Sequence, residues 1–165
     1  MKTASFSIST LFTVWFILFL TCAFSFAGDA NIRIAPPDHA VSAGESFRLN
    51  VIIDTLEPVH AYQFEIRSLD PSVLEIEGVE AGPDGFVTAS SLDEASGMLK
   101  VNGFVAEDGV SGADLRFLTL RLVAKAHGEA ALDIRPVIFA GATGDKIKTT
   151  AAGINVDIER AVNTQ

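Results

Sequence analysis

The feature that most constrains the fold is an alternation of apolar and polar residues that ends at an Asp-Pro pair. Tyr62, Phe64 and Ile66 alternate with polar residues, and this period of two places one apolar row on one face of a β-strand. Asp70 and Pro71 follow; because proline lacks an N–H and aspartate can bond its own backbone, the pair predicts a turn. The run VLEI then begins a new strand. A half-buried strand, a corner and a second strand are typical of a β-sandwich edge.

The clearest strand of the chain is predicted over Glu45 to Asp54. Apolar residues occupy its odd positions from Phe47 to Ile53, and the polar residues Ser46, Arg48 and Asn50 are expected to face outward. We expect the Glu57-Pro58 pair to end this strand, because proline cannot donate to a ladder. Other strands are expected over Asn31–Ala35, Met98–Val105, Ala130–Ile134, Pro136–Ala140 and Gly153–Ile158.

The run Leu115–Ala126 also alternates, except that Phe117 is displaced by one position from the leucine row. An amphipathic helix is the alternative, but the period of two and the β-branched residues favour a strand. One helical turn is expected over Leu92–Ala95. Many short strands separated by Gly/Pro turns predict an all-β sandwich or barrel.

The first 27 residues have the features of a secretory signal peptide. Lys2 supplies a positive n-region, and Leu11–Leu20 is an apolar run too short to span a bilayer comfortably. Ser25 and Ala27 place small residues at the −3 and −1 positions of a cleavage site before Gly28. The alternative is an uncleaved membrane anchor, and only in that case would the chain be held at a membrane. The prediction is therefore a secreted, extracellular or periplasmic protein.

Cleavage would leave one domain over residues 28–158 and a flexible tail over 159–165. The chain has a formal net charge of −9, and loss of Lys2 makes it −10. An acidic surface disfavours nucleic acid and anionic membranes as partners. Cys22 and Trp15 both lie in the leader, so the predicted domain has no disulfide and must be stabilised by core packing.

Catalytic patterns find little support. His39, His60 and His127 are far apart, each near a turn, and no pair has the spacing that chelates zinc. A nucleophile elbow and a Gly-rich phosphate loop are absent from the sequence. We therefore predict no enzyme, no catalytic residue, no resident metal and no cofactor.

One loop is rich in acidic residues. Glu107, Asp108 and Asp114 follow one another around two glycines, and calcium requires several convergent oxygens. The spacing does not match the EF-hand pattern, so a solvated acidic loop is favoured over a calcium site.

Recognition of sugars would require exposed aromatic platforms. The predicted domain has no tryptophan, one tyrosine and six phenylalanines, and Phe104 is among those assigned to inward rows. The polar row Gln63, Glu65 and Arg67 fits recognition of a protein better. An ordinary solvated sheet face is the alternative reading of this row.

Four segments together resemble a cohesin, the module that receives dockerins in cellulosomes and related assemblies. The strand with its D-P-x-VLE corner and the late A-x-x-x-G-x-a-a-L segment are the more specific parts, and the likeness covers nearly all of residues 28–158. The segments are Val41–Thr55, Ala61–Val79, Val101–Leu132 and Gly153–Ile158.

The resemblance implies a nine-stranded jelly-roll β-sandwich that binds a dockerin-like protein through one sheet face, with the calcium carried by the partner. An extra residue, Ser68, relative to the family's spacing would move Gln63 and Glu65 to the other face by a one-residue slip, unless a β-bulge at Ser68 absorbs it. Association with polysaccharide breakdown follows by analogy, and a direct carbohydrate-binding module or a structural subunit of a surface assembly are the alternatives. The implied contact residues are Gln63, Glu65, Glu107 and Asp108, with Gly109 and Gly112 shaping the loop and Lys146 and Lys148 flanking the face.

Overall fold

A computed structural model describes residues 29–105 and 108–161, which form eleven β-strands. The all-β sandwich predicted from the sequence is confirmed, with eleven strands in these ranges rather than nine. The predicted leader and residues 162–165 of the predicted tail lie outside them. The strands are β1 (Asp29–Ile34), β2 (Val41–Ser42), β3 (Ser46–Val59), β4 (Ala61–Ser68), β5 (Leu74–Ala81), β6 (Phe86–Asp93), β7 (Met98–Phe104), β8 (Val110–Ala124), β9 (Gly128–Ala140), β10 (Lys148–Ala152) and β11 (Ile154–Glu159).

The strands form two sheets. One has five strands in the order β10-β1-β3-β8-β5, and the other has six in the order β2-β11-β9-β4-β7-β6. Each sheet turns its apolar rows toward the other, because side chains on a strand alternate between its two faces. The core between them contains four aromatic rings in a chain of contacts, namely Tyr62, Phe64, Phe117 and Phe139.

The Asp-Pro corner carries the chain from one sheet to the other. It joins β4 of the six-stranded sheet to β5 at the edge of the five-stranded sheet. Asp70 Oδ1 accepts hydrogen bonds from the N–H and the hydroxyl of Ser72, at 3.1 and 2.6 Å. Ser68 is buried, and its hydroxyl donates to the carbonyl oxygen of Leu74 at 2.5 Å. The predicted turn is therefore confirmed, and a buried side-chain hydrogen bond closes it.

The prediction of a bulge at Ser68 is wrong. β4 alternates regularly to its last residue, and its pairing with β7 shows no shift of register. The irregularity lies on β9, where Gln63 pairs with Ile138 and Phe64 pairs with Pro136. The bulge in the β4–β9 pairing is thus one extra residue on β9 and not on β4. Gln63 and Glu65 therefore stay in the outward row of β4.

Residues 115–124 are strand and not helix, as predicted. Val51 pairs with Leu118 and Ile52 pairs with Arg116, which leaves Phe117 as an extra residue on β8. Phe117 and Leu118 are both fully buried. The bulge therefore explains why Phe117 is out of step with the leucine row.

Two local predictions are wrong. The Glu57-Pro58 pair does not end β3, which continues to Val59 through irregular pairing with β8. Such irregular pairing tolerates a proline that a regular ladder would exclude. Leu92 is in β6, and a turn without helix follows Asp93. Hydrogen bonds from Ala95 N–H and the Ser96 hydroxyl to the Asp93 carboxylate shape that turn.

His39 links two carboxylates in the connection between β1 and β3. Its Nδ1 lies 2.6 Å from Asp38 Oδ1, and its Nε2 lies 2.5 Å from Glu45 Oε1. Hydrogen bonds to Glu45 and then to Asp38 raise the pKa of His39. The Ser42 N–H and then His39 lower the pKa of Glu45, and His39 lowers the pKa of Asp38.

These pKa shifts predict a stability contribution confined to mildly acidic pH. The raised pKa of His39 stabilises the fold fully below its ordinary value of 6.5, and the effect is lost as pH rises through the raised value. The lowered pKa of Glu45 stabilises it above its ordinary value of 4.5, and this is lost as pH falls through the lowered value. His39→Gln should therefore lower the thermal midpoint most between about pH 5 and 6, and less as the pH rises through the raised pKa of His39. A matched His127→Gln variant is the control; a His39 effect that grows with rising pH would contradict the assignment.

Candidate functional site

The outer face of the six-stranded sheet is built by four adjacent strands, β9, β4, β7 and β6. Their pairing places the outward side chains in four cross-strand rows, about 20 Å along the strands and about 14 Å across them. From β6 through β7 and β4 to β9, the rows are Phe86, Phe104, Ala61, Ala140; Ala89, Asn102, Gln63, Ile138; Ser91, Lys100, Glu65, Arg135; and Asp93, Met98, Arg67, Asp133.

One end of this outer face is apolar and exposed. Phe86, Phe104 and Ile138 are 52%, 45% and 47% exposed. The two phenylalanine rings stack across the strands, with centroids 5.5 Å apart and planes inclined by 18°. Clustered large apolar side chains on a surface are typical of interaction sites, whereas scattered ones are ordinary. We call these three residues the apolar patch.

The prediction that Phe104 faces inward is wrong. Leu99 and Val101 are buried, so the alternation of β7 places Gly103 inward and Phe104 outward. A Cβ on Gly103 would lie 2.2 Å from Tyr62 Cζ and 2.2 Å from the carbonyl oxygen of Phe86. The missing side chain therefore makes room for the tyrosine ring beneath the patch.

Tyr62 packs beneath the apolar patch and holds its backbone in place. Its hydroxyl donates a hydrogen bond to the carbonyl oxygen of Phe86 at 2.9 Å. Burial raises the pKa of Tyr62 to about 12, so the hydroxyl keeps its proton at any physiological pH. The backbone that carries Phe86 is thus fixed before any partner arrives.

The other half of the outer face is charged. Lys100 Nζ lies 3.3 Å from Glu65 Oε1, and Arg135 Nε lies 3.0 Å from Asp133 Oδ2. Arg67 is exposed and has no ion pair with any described residue. The outer face therefore changes from apolar to ionic over its length.

The structure brings together only some of the predicted site residues. Gln63 and Glu65 are neighbours in the outward row of β4, and both are half-buried. Asp108 is exposed in the turn after β7, and Glu107 lies outside the described residues. The Gly109 and Gly112 positions have φ of +75° and +144°, which favour glycine.

The two glycines lie in different surroundings. A Cβ on Gly109 would be 2.6 Å from His60 Nε2 and 2.8 Å from the Val59 carbonyl oxygen, so this glycine closes the turn against the start of β4. Gly112 pairs with Thr55 in the five-stranded sheet. Gly112 therefore lies in a different sheet from Gln63 and Glu65.

The flanking lysines and the acidic loop are also divided between the two sheets. Lys146 forms a bridge with Ala140, in the row of the apolar patch, whereas Lys148 begins β10 of the five-stranded sheet. Asp114 pairs with Arg33, and its N–H donates to Asp54 Oδ1 at 2.7 Å. Asp114 thus belongs to the β1–β3 side of the sandwich.

Among residues 29–105 and 108–161, no group of three or more His, Cys, Asp or Glu side chains is placed to hold a metal ion. These residues also contain no helix with the length and apolarity needed to cross a membrane. What the sequence analysis missed is the apolar patch. The signal was present in the alternation of β7, counted from Leu99 and Val101.

A family model described as the cohesin domain matches residues 32–159. The chain belongs to the cohesin domain family. Solved cohesins share the fold at low identity. A non-cellulosomal cohesin from the archaeon Archaeoglobus fulgidus is 17% identical, with a TM-score of 0.66 over 79% of this chain and 91% of that one.

Two further solved cohesins are similar. A type I cohesin–dockerin complex from Clostridium thermocellum contains a cohesin that is 12% identical, with a TM-score of 0.67 over 81% of this chain and 95% of that one. A cohesin module from a family 33 glycoside hydrolase of Clostridium perfringens is 14% identical, with a TM-score of 0.66 over 81% and 98%. A search among curated proteins gave no match.

Proposed function

We propose that this chain is a secreted, non-enzymatic cohesin module that docks a dockerin-like protein through the outer face of the six-stranded sheet. The observation that carries the proposal is the apolar patch of Phe86, Phe104 and Ile138, exposed at one end of a rigid sheet. Membership of the cohesin family and the cohesin–dockerin complexes among its structural relatives support a dockerin as the partner. The partner would carry the calcium.

The patch has the properties of a binding hot spot. Aromatic side chains in the centre of an interface contribute much of the binding energy, because they exclude water from a large area. Phe86 and Phe104 already stack on each other, and Tyr62 holds the backbone of Phe86. Little conformational entropy would be lost on docking, and more of the gross contact energy would appear as affinity.

The charged half of the outer face would select the partner and its orientation. Gln63 and Glu65 lie between the apolar patch and Arg67. Exposed charged and polar groups favour a complementary surface and penalise a mismatched one. Asp108 and Gly109, in the turn after β7, would form the rim nearest the apolar patch. Gly112 would act through the conformation of the same connection.

The docking proposal predicts that Phe104→Asp weakens the interaction while the fold survives. We expect a panel of calcium-loaded dockerins, including those of the host's secretome, to include at least one that binds at micromolar concentration or tighter. A charge in the centre of the interface would weaken that complex by about 2 kcal/mol, or about 30-fold, in calorimetric titration. Thr150→Asp adds the same charge at the exposed edge strand of the other sheet and should leave binding unchanged.

Two results would overturn the docking proposal. One is a panel of calcium-loaded dockerins in which none binds at micromolar concentration. The other is a dockerin complex in which Phe104→Asp binds as tightly as the wild type. Circular dichroism of both variants separates a loss of binding from a loss of fold.

The exposed aromatic pair also supports a second candidate, direct binding of carbohydrate. Apolar faces of sugar rings stack on aromatic side chains, and the structure exposes two rings that the sequence analysis assigned to the core or left aside. Retention on cellulose, chitin or pectin that is lost in Phe86→Ala would favour this function. A structural subunit of a surface assembly has no comparable feature in its favour, and a stable oligomer in native mass measurement would be needed to support it.

A further inference from the structure

A pair of arginines lies on the opposite side of the sandwich from the proposed docking surface. Arg48 on β3 and Arg121 on β8 are direct cross-strand partners on the outer face of the five-stranded sheet. They are 67% and 46% exposed at the side chain. Like charges directly opposite each other destabilise a sheet. The pair therefore needs a negatively charged partner to offset its repulsion.

The two guanidinium groups share a single weak partner. Glu80 Oε1 lies 3.6 Å from Arg48 Nη2 and 3.6 Å from Arg121 Nε, which is too far for a hydrogen bond. Among the described residues, neither guanidinium makes a hydrogen bond. Gly78 leaves space for Arg121, since a Cβ there would lie 2.8 Å from its Nη2. Most of the N–H donors of both arginines thus face solvent.

Both arginines line one surface depression of ≈ 350 Å³, and Arg48 also lines a second one of ≈ 430 Å³. Ser46 and Arg48 are common to the two depressions, which we together call the groove. Ser46, Arg48 and Asn50 alternate outward at intervals of about 7 Å. The Thr119 hydroxyl donates to Asn50 Oδ1 at 3.0 Å, so the Asn50 amide nitrogen remains to donate. The groove therefore presents hydrogen-bond donors to whatever enters it.

We propose that this groove binds a sugar carboxylate, such as a uronic acid residue of an acidic polysaccharide. Paired guanidinium groups suit a planar carboxylate, which accepts two parallel hydrogen bonds from an arginine. The hydroxyl of Ser46 and the amide of Asn50 suit the hydroxyls of a sugar, and Pro36 adds an apolar wall. This inference does not depend on the docking proposal, since the two surfaces belong to different sheets.

The acidic groups around the groove disfavour ligands with a high density of negative charge. Glu77 lines one part, while Asp38 and His39 line the other, and Glu80 lies between the arginines. His39 already bridges Asp38 and Glu45. Several carboxylates at the rim would repel a nucleic acid, whose phosphates are closely spaced, whereas the more widely spaced carboxylates of an acidic polysaccharide let one of them reach the arginines.

The test is a titration of the full chain with trigalacturonate, followed by NMR. We expect saturable shifts of the Arg48, Arg121 and Asn50 signals at about millimolar concentration, weakened by added salt. Arg48→Gln/Arg121→Gln should weaken the affinity about tenfold or more. Arg160→Gln, at an exposed position just after β11 of the other sheet, is the control and should bind as the wild type does. Maltotriose, acetate and a glutamate peptide are the comparison probes.

Each other result would overturn the proposal. Absence of saturable shifts at about 10 mM trigalacturonate, or equal binding by the double variant, would exclude the site. Equal affinity for acetate would show that the groove binds any small anion. Tighter binding of the glutamate peptide would show that its ligand is a protein carboxylate. Tighter binding of maltotriose would show that the carboxylate is not what the groove recognises.

Discussion

Phe117→Ala should reduce the free energy of unfolding by about 3–5 kcal/mol, because it removes a fully buried ring and leaves a cavity. The ring packs between Tyr62 and Phe139, with centroid distances of 5.2 and 6.2 Å. A loss of this size is a large part of the stability of an ordinary domain. Urea unfolding followed by circular dichroism measures it, provided that the m-value is unchanged.

The matched control for this core substitution is Phe86→Ala. Phe86 is half exposed, and its alanine variant should lose about 0.5–1.5 kcal/mol, the value of one aromatic pair. The comparison tests the bulge on β8 as well as the ring, since a regular strand would turn Phe117 outward whenever Leu118 points inward. Equal losses in the two variants would mean that Phe117 is not a core residue.

The strands were predictable from the sequence because each one buries a single face. The alternation in β3, β4 and β8 is the direct trace of that geometry. The bulges were not predictable, since an extra residue on one strand is defined only relative to its partner. Phe117 revealed such a residue as a break in the leucine row, whereas the one on β9 left no such mark. A bulge was considered at Ser68 because that residue is extra relative to the family's spacing, and the partner strand was unknown.

The candidate site was predictable in its polar part and not in its apolar part. Gln63 and Glu65 face outward because Tyr62, Phe64 and Ile66 face inward. Phe104 was assigned to the core on residue type, although the alternation counted from Leu99 points it outward. The wrong assignment also removed the best evidence for a binding surface. Position in the alternation is thus a better guide than hydrophobicity at the end of a strand.

Gly103, which takes the inward position of β7 next to the outward Phe104, is the site of the second large predicted effect on stability. Gly103 is buried between β4 and β6, directly beneath the apolar patch. An added Cβ would meet two groups at 2.2 Å, and one of them is the backbone oxygen of Phe86, which cannot rotate away. To relieve both contacts, β6 must separate from β7 and the Tyr62 ring must leave its place. Either movement would break the hydrogen bond from the Tyr62 hydroxyl to that oxygen.

Gly103→Ala should therefore cost about 3 kcal/mol or more, at the upper end of overpacking effects, although it adds only one methyl group. The measurement is again urea unfolding. Asn102→Ala is the control, because Asn102 is the exposed neighbour on the same strand. This control substitution should change the free energy of unfolding by about 0.5 kcal/mol or less. Since Phe86 and Phe104 depend on this packing, dockerin affinity should fall in the alanine variant even under conditions where it remains folded. A Gly103→Ala protein as stable as Asn102→Ala would show that the Tyr62 ring is not packed beneath the patch. A stable variant with unchanged affinity would also separate the docking surface from its support.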